Sequence, residues 1–139
     1  KRDTEQLIET IKLRYKGYDC YIYPDSSGKS GQTATTITDI AQLKTAFGPR
    51  NVRYPNKNPR IINRVKSVNA MFCNAKDDRR LFVNTDQCHI LTTCLEQQAY
   101  DPNTGMPQKK YNVDHPLDSL GYFIHFSYPI VGRPSMRNI

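Results

Sequence analysis

The chain has 139 residues, of which 24% are charged and 37% are hydrophobic, a length that fits one domain with its own core. No apolar run approaches the ~20 residues of a membrane helix, and the first ten residues lack the apolar centre of a secretion signal, so the sequence predicts no membrane segment. Lysine and arginine outnumber aspartate and glutamate by 20 to 13. The net charge of +7 favours a polyanionic partner, although an ordinary solvated surface carries such a charge as well.

The cysteines contain no Cys-x-x-Cys pair, and three of the four lie in apolar patterns. We therefore expect reduced cysteines of a cytosolic protein, with Cys20, Cys73 and Cys94 in the core, rather than zinc ligands or disulfides. The chain begins with Lys1 instead of methionine, as expected of a fragment or a processed product. The cysteines are Cys20, Cys73, Cys88 and Cys94.

Helix and strand patterns alternate in the first part of the chain. "DTEQLIETIKLRYKG" predicts a helix that Asp3 caps and Gly17 ends. "YDCYIYP" predicts a buried strand that ends at Pro24, and "NVRYP" predicts a second short strand. Between them, "TDIAQLKTAFG" predicts a helix with Thr38 as its N-cap and Gly48 as its terminator.

The alternation continues after residue 57. "NPRIINRVKSVNAMFCNA" predicts a helix that Asn58 caps. "RRLFVN" predicts a strand, and the next helix is expected to start at Thr85 or Asp86. A turn signal predicts a protruding hairpin or a mobile loop at residues 101–111, followed by a last helix at about 114–127 and a loose tail at 129–139. The pattern is α/β with few strands for its helices. The predicted apolar stripe of the long helix contains Ile61, Ile62, Val65, Val68 and Phe72.

Asp25 follows the strand pattern in "YIYPDSSGKSG", which at first resembles a phosphate-binding loop. That loop needs a glycine where Tyr23 stands, so the sequence instead predicts a carboxylate at a strand tip. In the last helix Asp114 and Asp118 are one turn apart, with His115 beside them. Asp114 is also a good candidate for the helix cap. Together these side chains form a hard-ligand set suited to Mg²⁺ or Mn²⁺.

Four segments together resemble the C-terminal part of the nuclease domain of the large terminase subunit of tailed double-stranded DNA bacteriophages. They are "YPDSSG", "RVKSVNAMFCNAKDDRRLFVN", "CLEQQAYDPNTGMPQK" and "DHPLDSLGY", and they span about residues 21–128. The last segment, Asp-His-x-x-Asp-x-x-x-Tyr, is the most specific. The resemblance implies that residues 1–139 form part of an α/β RNase H-like (retroviral-integrase-like) nuclease fold that lacks its first strands here.

The resemblance also implies an enzyme, a metal-dependent endonuclease that cuts concatemeric double-stranded DNA by two-metal phosphodiester hydrolysis. Asp25, His115 and Asp118 would be its catalytic and metal-binding residues, and Asp114 a further metal-site residue or a cap. Two Mg²⁺ or Mn²⁺ ions are expected in the complete site. The hairpin would control access of DNA. The basic residues available for phosphate contacts, each equally an ordinary solvated charge, are Lys29, Lys109, Lys110 and Arg133.

Further partners implied by the resemblance are the terminase ATPase domain, the small terminase subunit and the portal, in the cytoplasm of the bacterial host. The first acid of such nucleases would lie upstream of Lys1, so this chain alone is expected to cut DNA poorly. A catalytically silent DNA-binding or motor-docking module is the alternative, which the basic charge would also suit. The nuclease reading requires Asp25, His115 and Asp118 to converge.

Overall fold

The structure, a computed structural model, describes residues 3–29, 38–109 and 113–130. The chain divides into two compact units, Lys1–Asn58 and Pro59–Ile139, and each is described by itself. In the part of the chain that is described, no helix is both long enough and apolar enough to cross a membrane.

The first unit contains two α-helices whose N-terminal ends are set by local residues. Helix α1 spans Thr4–Arg14, and the Asp3 carboxylate accepts a hydrogen bond of 2.9 Å from the Gln6 amide, which confirms the predicted cap. No residue of α1 is buried, and Leu7 on its predicted inner face is 47% exposed. The helix is therefore held mainly by its own hydrogen bonds and by partial packing against the next helix.

Helix α2 spans Asp39–Phe47 and is also capped as predicted. The Thr38 hydroxyl accepts a hydrogen bond of 3.1 Å from the Ala41 amide, and Gly48 ends the helix with φ of 90°. Ile40 and Leu43 are buried, and α2 packs against α1 and against a 3₁₀ turn at Ser26–Lys29. The first unit thus has a small core on one side of α2.

The predicted α/β RNase H-like fold is wrong for the described residues, which are 50% helical and 3% strand and form no sheet. Two isolated bridges take the place of strands, one parallel between Ile22 and Val52 and one antiparallel between Tyr100 and Pro107. At the first bridge the Ile22 amide donates to the Asn51 carbonyl at 2.7 Å, and the Arg53 amide donates to the Ile22 carbonyl at 2.8 Å.

The failure of the sheet prediction has a physical reason in the third strand-like segment, "RRLFVN". The amides of Arg80 and Leu81 donate to the Met71 carbonyl, at 2.9 and 2.8 Å, so they bond the end of a helix instead of a strand. Phe82 in the same segment is 78% exposed. A strand pattern records a local preference for extended backbone, whereas a stable sheet needs three or more paired strands or a covering helix.

Three helices form the second unit: α3 at Ile61–Phe72, α4 at His89–Gln97 and α5 at Asp114–Ser127. Helix α5 packs against both α3 and α4, and its bounds match the predicted last helix. Helix α3 begins at Ile61, two residues after Pro59, where the first turn was predicted, and it has no side-chain cap. Helix α4 begins after a turn at residues 85–87, which was expected to be helical.

The core of the second unit lies between α3 and α5, and the inner face of α3 differs from the predicted stripe. Arg64, Ser67 and Met71 are buried, whereas the five stripe residues are only half-buried. From α5, Gly121 and Ile124 face inward, and Ile124 is 1% exposed. Arg64 and Ser67 therefore lie on the inner face of α3, a face for which the apolar periodicity predicted aliphatic side chains.

A tight turn connects α4 to the residues before α5. The Asp101 amide donates to the Met106 carbonyl and the Gly105 amide to the Asp101 carbonyl, both at 2.8 Å. Gly105 has φ of 64°, a left-handed conformation that favours glycine. The structure describes the predicted hairpin up to residue 109, and residues 110–112 lie outside it.

All four cysteines carry free thiols, but their burial differs. Cys94 on α4 is buried with 6% exposure, and Cys20 is half-buried. Cys73 and Cys88 are exposed, so the expectation that Cys73 lies in the core is wrong.

Candidate functional site

Asp25 lies in the first unit, at the start of the 3₁₀ turn. Its Oδ1 atom accepts a hydrogen bond of 2.7 Å from the Ser27 amide and another from the Asn58 side-chain amide. Asn58 also accepts from the Ser26 amide at 2.9 Å through its own Oδ1. Asn58 therefore fastens this loop instead of capping α3, and Asp25 starts the turn much as an N-cap residue starts a helix.

Asp118 lies in the second unit, on α5, opposite a cation from α3. Its Oδ1 atom is 3.0 Å from Nη2 of Arg64, and the Asp118 side chain is 41% exposed whereas that of Arg64 is 6% exposed. The guanidinium carbon of Arg64 lies 4.4 Å from the centre of the Tyr122 ring. The pair therefore has a buried cationic end and a carboxylate end that reaches the surface.

A cavity of about 630 Å³ opens beside this pair within the second unit. Asp114 and Asp118 both line it, as expected for two residues one turn apart on a helix. About half of the other lining residues are apolar, and the turn after α4 borders the cavity. The volume is in the range of small-molecule and cofactor sites. Its aliphatic lining includes Ile61, Val65, Val68, Leu95 and Leu117.

His115 does not join the two carboxylates at the cavity. It is exposed, it is not among the lining residues, and its place on the helix is rotated about 100° from Asp114. The expected role of Asp114 as a side-chain cap is also wrong, because the N-cap position of α5 is Val113 and Asp114 is the first helical residue.

The convergence of Asp25 with Asp118 stays a prediction, since the two residues belong to different units. Among the described residues, no group of three or more histidine, cysteine, aspartate or glutamate side chains is arranged to hold a metal ion. Asp114 and Asp118 supply oxygen donors of the kind that Mg²⁺ and Mn²⁺ prefer, but Asp118 is already paired with Arg64, so the metal site stays a prediction.

Of the four basic residues expected to contact phosphate, Lys109 is exposed and lines the cavity that Asp114 and Asp118 share. Lys29 closes the 3₁₀ turn with its backbone, and its side chain lies outside the described part of the chain. Lys110 and Arg133 are outside the described residues altogether. Among the described residues, the cations that line the cavity with Asp114 and Asp118 are the exposed Lys109 and the buried Arg64.

A second polar contact links α3 and α5 further along the helices. The Ser67 hydroxyl donates to the Asn63 carbonyl at 3.0 Å and lies 3.0 Å from Nδ1 of His125. Burial lowers the pKa of His125 below its ordinary value, the hydrogen bond with the Asn63 backbone opposes this shift, and the charge of Arg64 adds to it. Neutral imidazole is therefore the favoured form in the folded unit.

Arg64 is the residue of this site that the sequence analysis missed. Its spacing offered a signal, because Arg64, Ser67 and Met71 recur at helical intervals of three and four. Gly121 lies close to it in the structure, where a Cβ atom at position 121 would be 3.4 Å from the Arg64 Cβ. A polar residue on the inner face of a helix needs a partner, and only the tertiary structure identifies it as Asp118.

No protein-family model, curated protein or solved structure matches this chain. The resemblance to phage terminases therefore stays a prediction that depends on the motifs alone.

Proposed function

We propose that this chain is part of a divalent-metal-dependent endonuclease of the phage DNA-packaging terminase type. The observation that carries the proposal is the pair of carboxylates, Asp114 and Asp118, on the wall of one large cavity. Both belong to the nine-residue motif that is the most specific part of the resemblance. The proposal uses the acidic motif and the cavity, and it does not require an RNase H-like sheet.

In this proposal Asp118 is a metal ligand, and Asp114 binds the same ion or accepts a hydrogen bond from its water ligands. Asp25 and the exposed His115 would be the further catalytic residues that the resemblance implies. Bound Mg²⁺ or Mn²⁺ would supply activation of water and charge stabilisation at the leaving oxygen. Lys109, at the rim of the cavity, would contact a DNA phosphate.

The partners in this proposal are double-stranded DNA and, in the packaging motor, the ATPase domain, the small terminase subunit and the portal. The reaction would take place in the cytoplasm of the bacterial host.

Cleavage of supercoiled plasmid DNA tests the proposal. The assay compares this chain and the natural protein that contains it, each with Mg²⁺ or Mn²⁺. We expect Asp118→Asn and Asp25→Asn to reduce cutting by the natural protein by more than about 100-fold, since metal ligands contribute at least as much as the residues that support them.

Asp77→Asn is the matched control, because Asp77 also pairs with an arginine, Arg79, at 3.1 Å, but on an exposed surface. It should cut at the wild-type rate. Wild-type cutting by Asp118→Asn would remove Asp118 from the reaction and contradict the proposal.

A DNA-binding or motor-docking module without catalysis is the second candidate, and the Arg64–Asp118 pair favours it. A carboxylate that already has a guanidinium partner needs no metal to balance its charge. DNA binding that weakens steeply with salt, without cutting by the natural protein in either metal, would select this candidate.

A further inference from the structure

Arg64 is a buried cation whose hydrogen bonds are incomplete. The residue is 5% exposed, and its Nη2 atom donates to Asp118 at 3.0 Å. Its Nε and Nη1 atoms carry the other N–H groups that face away from this contact; they are buried and have no acceptor in the part of the chain that the structure describes. Burying donors without acceptors costs free energy, so we expect an acceptor from outside these residues.

The surroundings of Arg64 hold its charge in place without supplying these acceptors. The guanidinium carbon lies 4.4 Å from the centre of the Tyr122 ring, whose face attracts the positive charge but offers no lone pair along the N–H bonds. At Gly121 a Cβ atom would lie 3.4 Å from Cβ and 3.7 Å from Cδ of Arg64, so the arginine stem packs closely against α5. Packing therefore fixes a guanidinium that still has two unpaired nitrogens.

Arg64 is also one of the residues that line the cavity of about 630 Å³. Aliphatic side chains from α3, α4 and α5 line it as well, and both this lining and the volume suit a small, mainly apolar molecule. The charged residues of the lining are Arg64, Lys109, Asp114 and Asp118, so their formal charges cancel. The lining therefore has no net charge that would attract an anion or a cation.

We propose that this cavity binds an uncharged, mainly apolar small molecule whose carbonyl oxygen accepts a hydrogen bond from Nε or Nη1 of Arg64. A carbonyl oxygen brings the lone pairs that these donors lack. Because both nitrogens are buried, a neighbouring side chain must move to admit the ligand, and the Asp118 side chain, which is 41% exposed, has room to turn. The inference goes beyond the proposed function, since it needs neither a metal ion nor DNA.

The ion pair determines which head group the ligand carries. A carboxylate ligand would compete with Asp118 for one guanidinium, would be repelled by Asp114, and would lose its hydration against an apolar wall. An ammonium ligand has no lone pair to offer and would meet the positive charge of Arg64. A carbonyl group avoids both costs.

The test uses four probes with the same six-carbon chain: heptanamide, octan-2-one, heptanoate and heptylammonium. Nuclear magnetic resonance titration of the whole chain, with EDTA present, measures their dissociation constants. Heptanamide and octan-2-one should bind about tenfold more tightly than the two ions, since a buried hydrogen bond from a charged donor contributes about this factor. Octan-2-one has no N–H group, so its binding excludes donation to Asp114 as the cause. Tighter binding of either ion would overturn the inference.

The guanidinium N–H resonances of Arg64 report the hydrogen bond in the wild-type chain, without any substitution. Heptanamide should shift them and leave those of Arg79 in place, because Arg79 belongs to an exposed pair with Asp77. Equal or absent shifts would mean that water or another part of the chain already supplies the acceptors, and would overturn the inference.

Two variants locate the binding site. Arg64→Met removes the donors and keeps an apolar stem, so heptanamide should bind about tenfold more weakly. Val68→Trp fills part of the cavity and should weaken the binding of all four probes. Arg79→Gln is the matched control and should bind heptanamide as the wild type does. Unchanged binding by Arg64→Met and Val68→Trp would contradict the inference and leave the predicted DNA cleavage, which requires a metal ion, as it stands.

Discussion

In the first unit of the chain, neighbours in sequence set the ends of the helices, whereas in the second unit contacts between distant residues set the arrangement of the helices. Asp3 and Thr38 cap α1 and α2 through amides three residues ahead. In contrast, Arg64 reaches Asp118 across the α3–α5 interface. The two candidate aspartates should therefore respond differently to the same substitution. Asp25 lies in a loop of the first unit, whereas Asp118 lies opposite a buried cation in the second.

The largest expected effect is on the free energy of unfolding when each candidate aspartate is converted to asparagine. Asp118→Asn should cost about 2 kcal/mol, because the buried guanidinium of Arg64 loses its charged partner and the exposure of Asp118 screens only part of that loss. Asp25→Asn should cost less than about 1 kcal/mol, because the amide oxygen can still accept from Ser27 and Asn58.

Urea denaturation of the metal-free chain measures both values, with Asp77→Asn as the exposed control. Equal losses for Asp25→Asn and Asp118→Asn would break the comparison between the two units.

Glycine-to-alanine substitutions should have smaller effects on the free energy of unfolding, and these effects should have opposite signs in the two units. Gly48→Ala in the first unit should destabilise by about 1 kcal/mol, since its φ of 90° is one that residues with a side chain rarely adopt. Gly121→Ala in the second unit should stabilise by about 0.5 kcal/mol through helix propensity. The added methyl group would make an ordinary contact of 3.4 Å with the Arg64 Cβ.

The melting temperatures of both alanine variants, compared with the wild type, check these signs. Destabilisation by Gly121→Ala would mean that α5 packs against Arg64 more tightly than described.

The smallest expected effect is a pH dependence that belongs to the second unit, because all three histidines follow residue 58. The pKa of His125 is lowered in the folded unit, so the unfolded chain binds more protons. The contribution of His125 to the free energy of unfolding is therefore complete above about pH 6.5, and it is lost as the pH falls from there toward the lower pKa of the folded state. Arg64, Ser67 and the Asn63 carbonyl surround this ring.

Thermal melts between pH 7.5 and 5 should show a smaller drop for His125→Asn than for the wild type. His115→Asn is the control on the same helix, since His115 is exposed. Identical pH profiles for the wild type and His125→Asn would remove His125 from this dependence.

The parts of the fold that local chemistry determines could be predicted from the sequence. The caps Asp3 and Thr38 and the terminator Gly48 act within a few residues, so the start of α1 and both ends of α2 could be predicted, whereas α1 ends at Arg14, before the predicted terminator Gly17. For α5 the helical spacing of its inner residues was sufficient. These predictions needed no knowledge of what lies across the interface.

The sheet and the partner of Asp118 could not be predicted, because both depend on residues far apart in the chain. A strand pattern such as "RRLFVN" does not contain its hydrogen-bond partner, which is here the end of α3. The aliphatic residues of α3 predict an inner face that does not contain Arg64, whereas in the structure Arg64 lies on the buried face. The spacing of one turn did predict that Asp114 and Asp118 share a face of the helix, whereas the cavity that this face lines is known only from the structure.

The rate at which Cys94 is chemically modified reports how often the helices of the second unit separate. Its thiol is buried on α4, the helix that packs against α5, whereas Cys73 and Cys88 are exposed in the same unit. An alkylating reagent therefore modifies the two exposed thiols at once and reaches Cys94 only when the packing opens. When the unit opens and closes faster than the reagent reacts, and the thiols have equal intrinsic reactivity, the ratio of the slow rate to the fast rate equals the population of the open form, measured without denaturant.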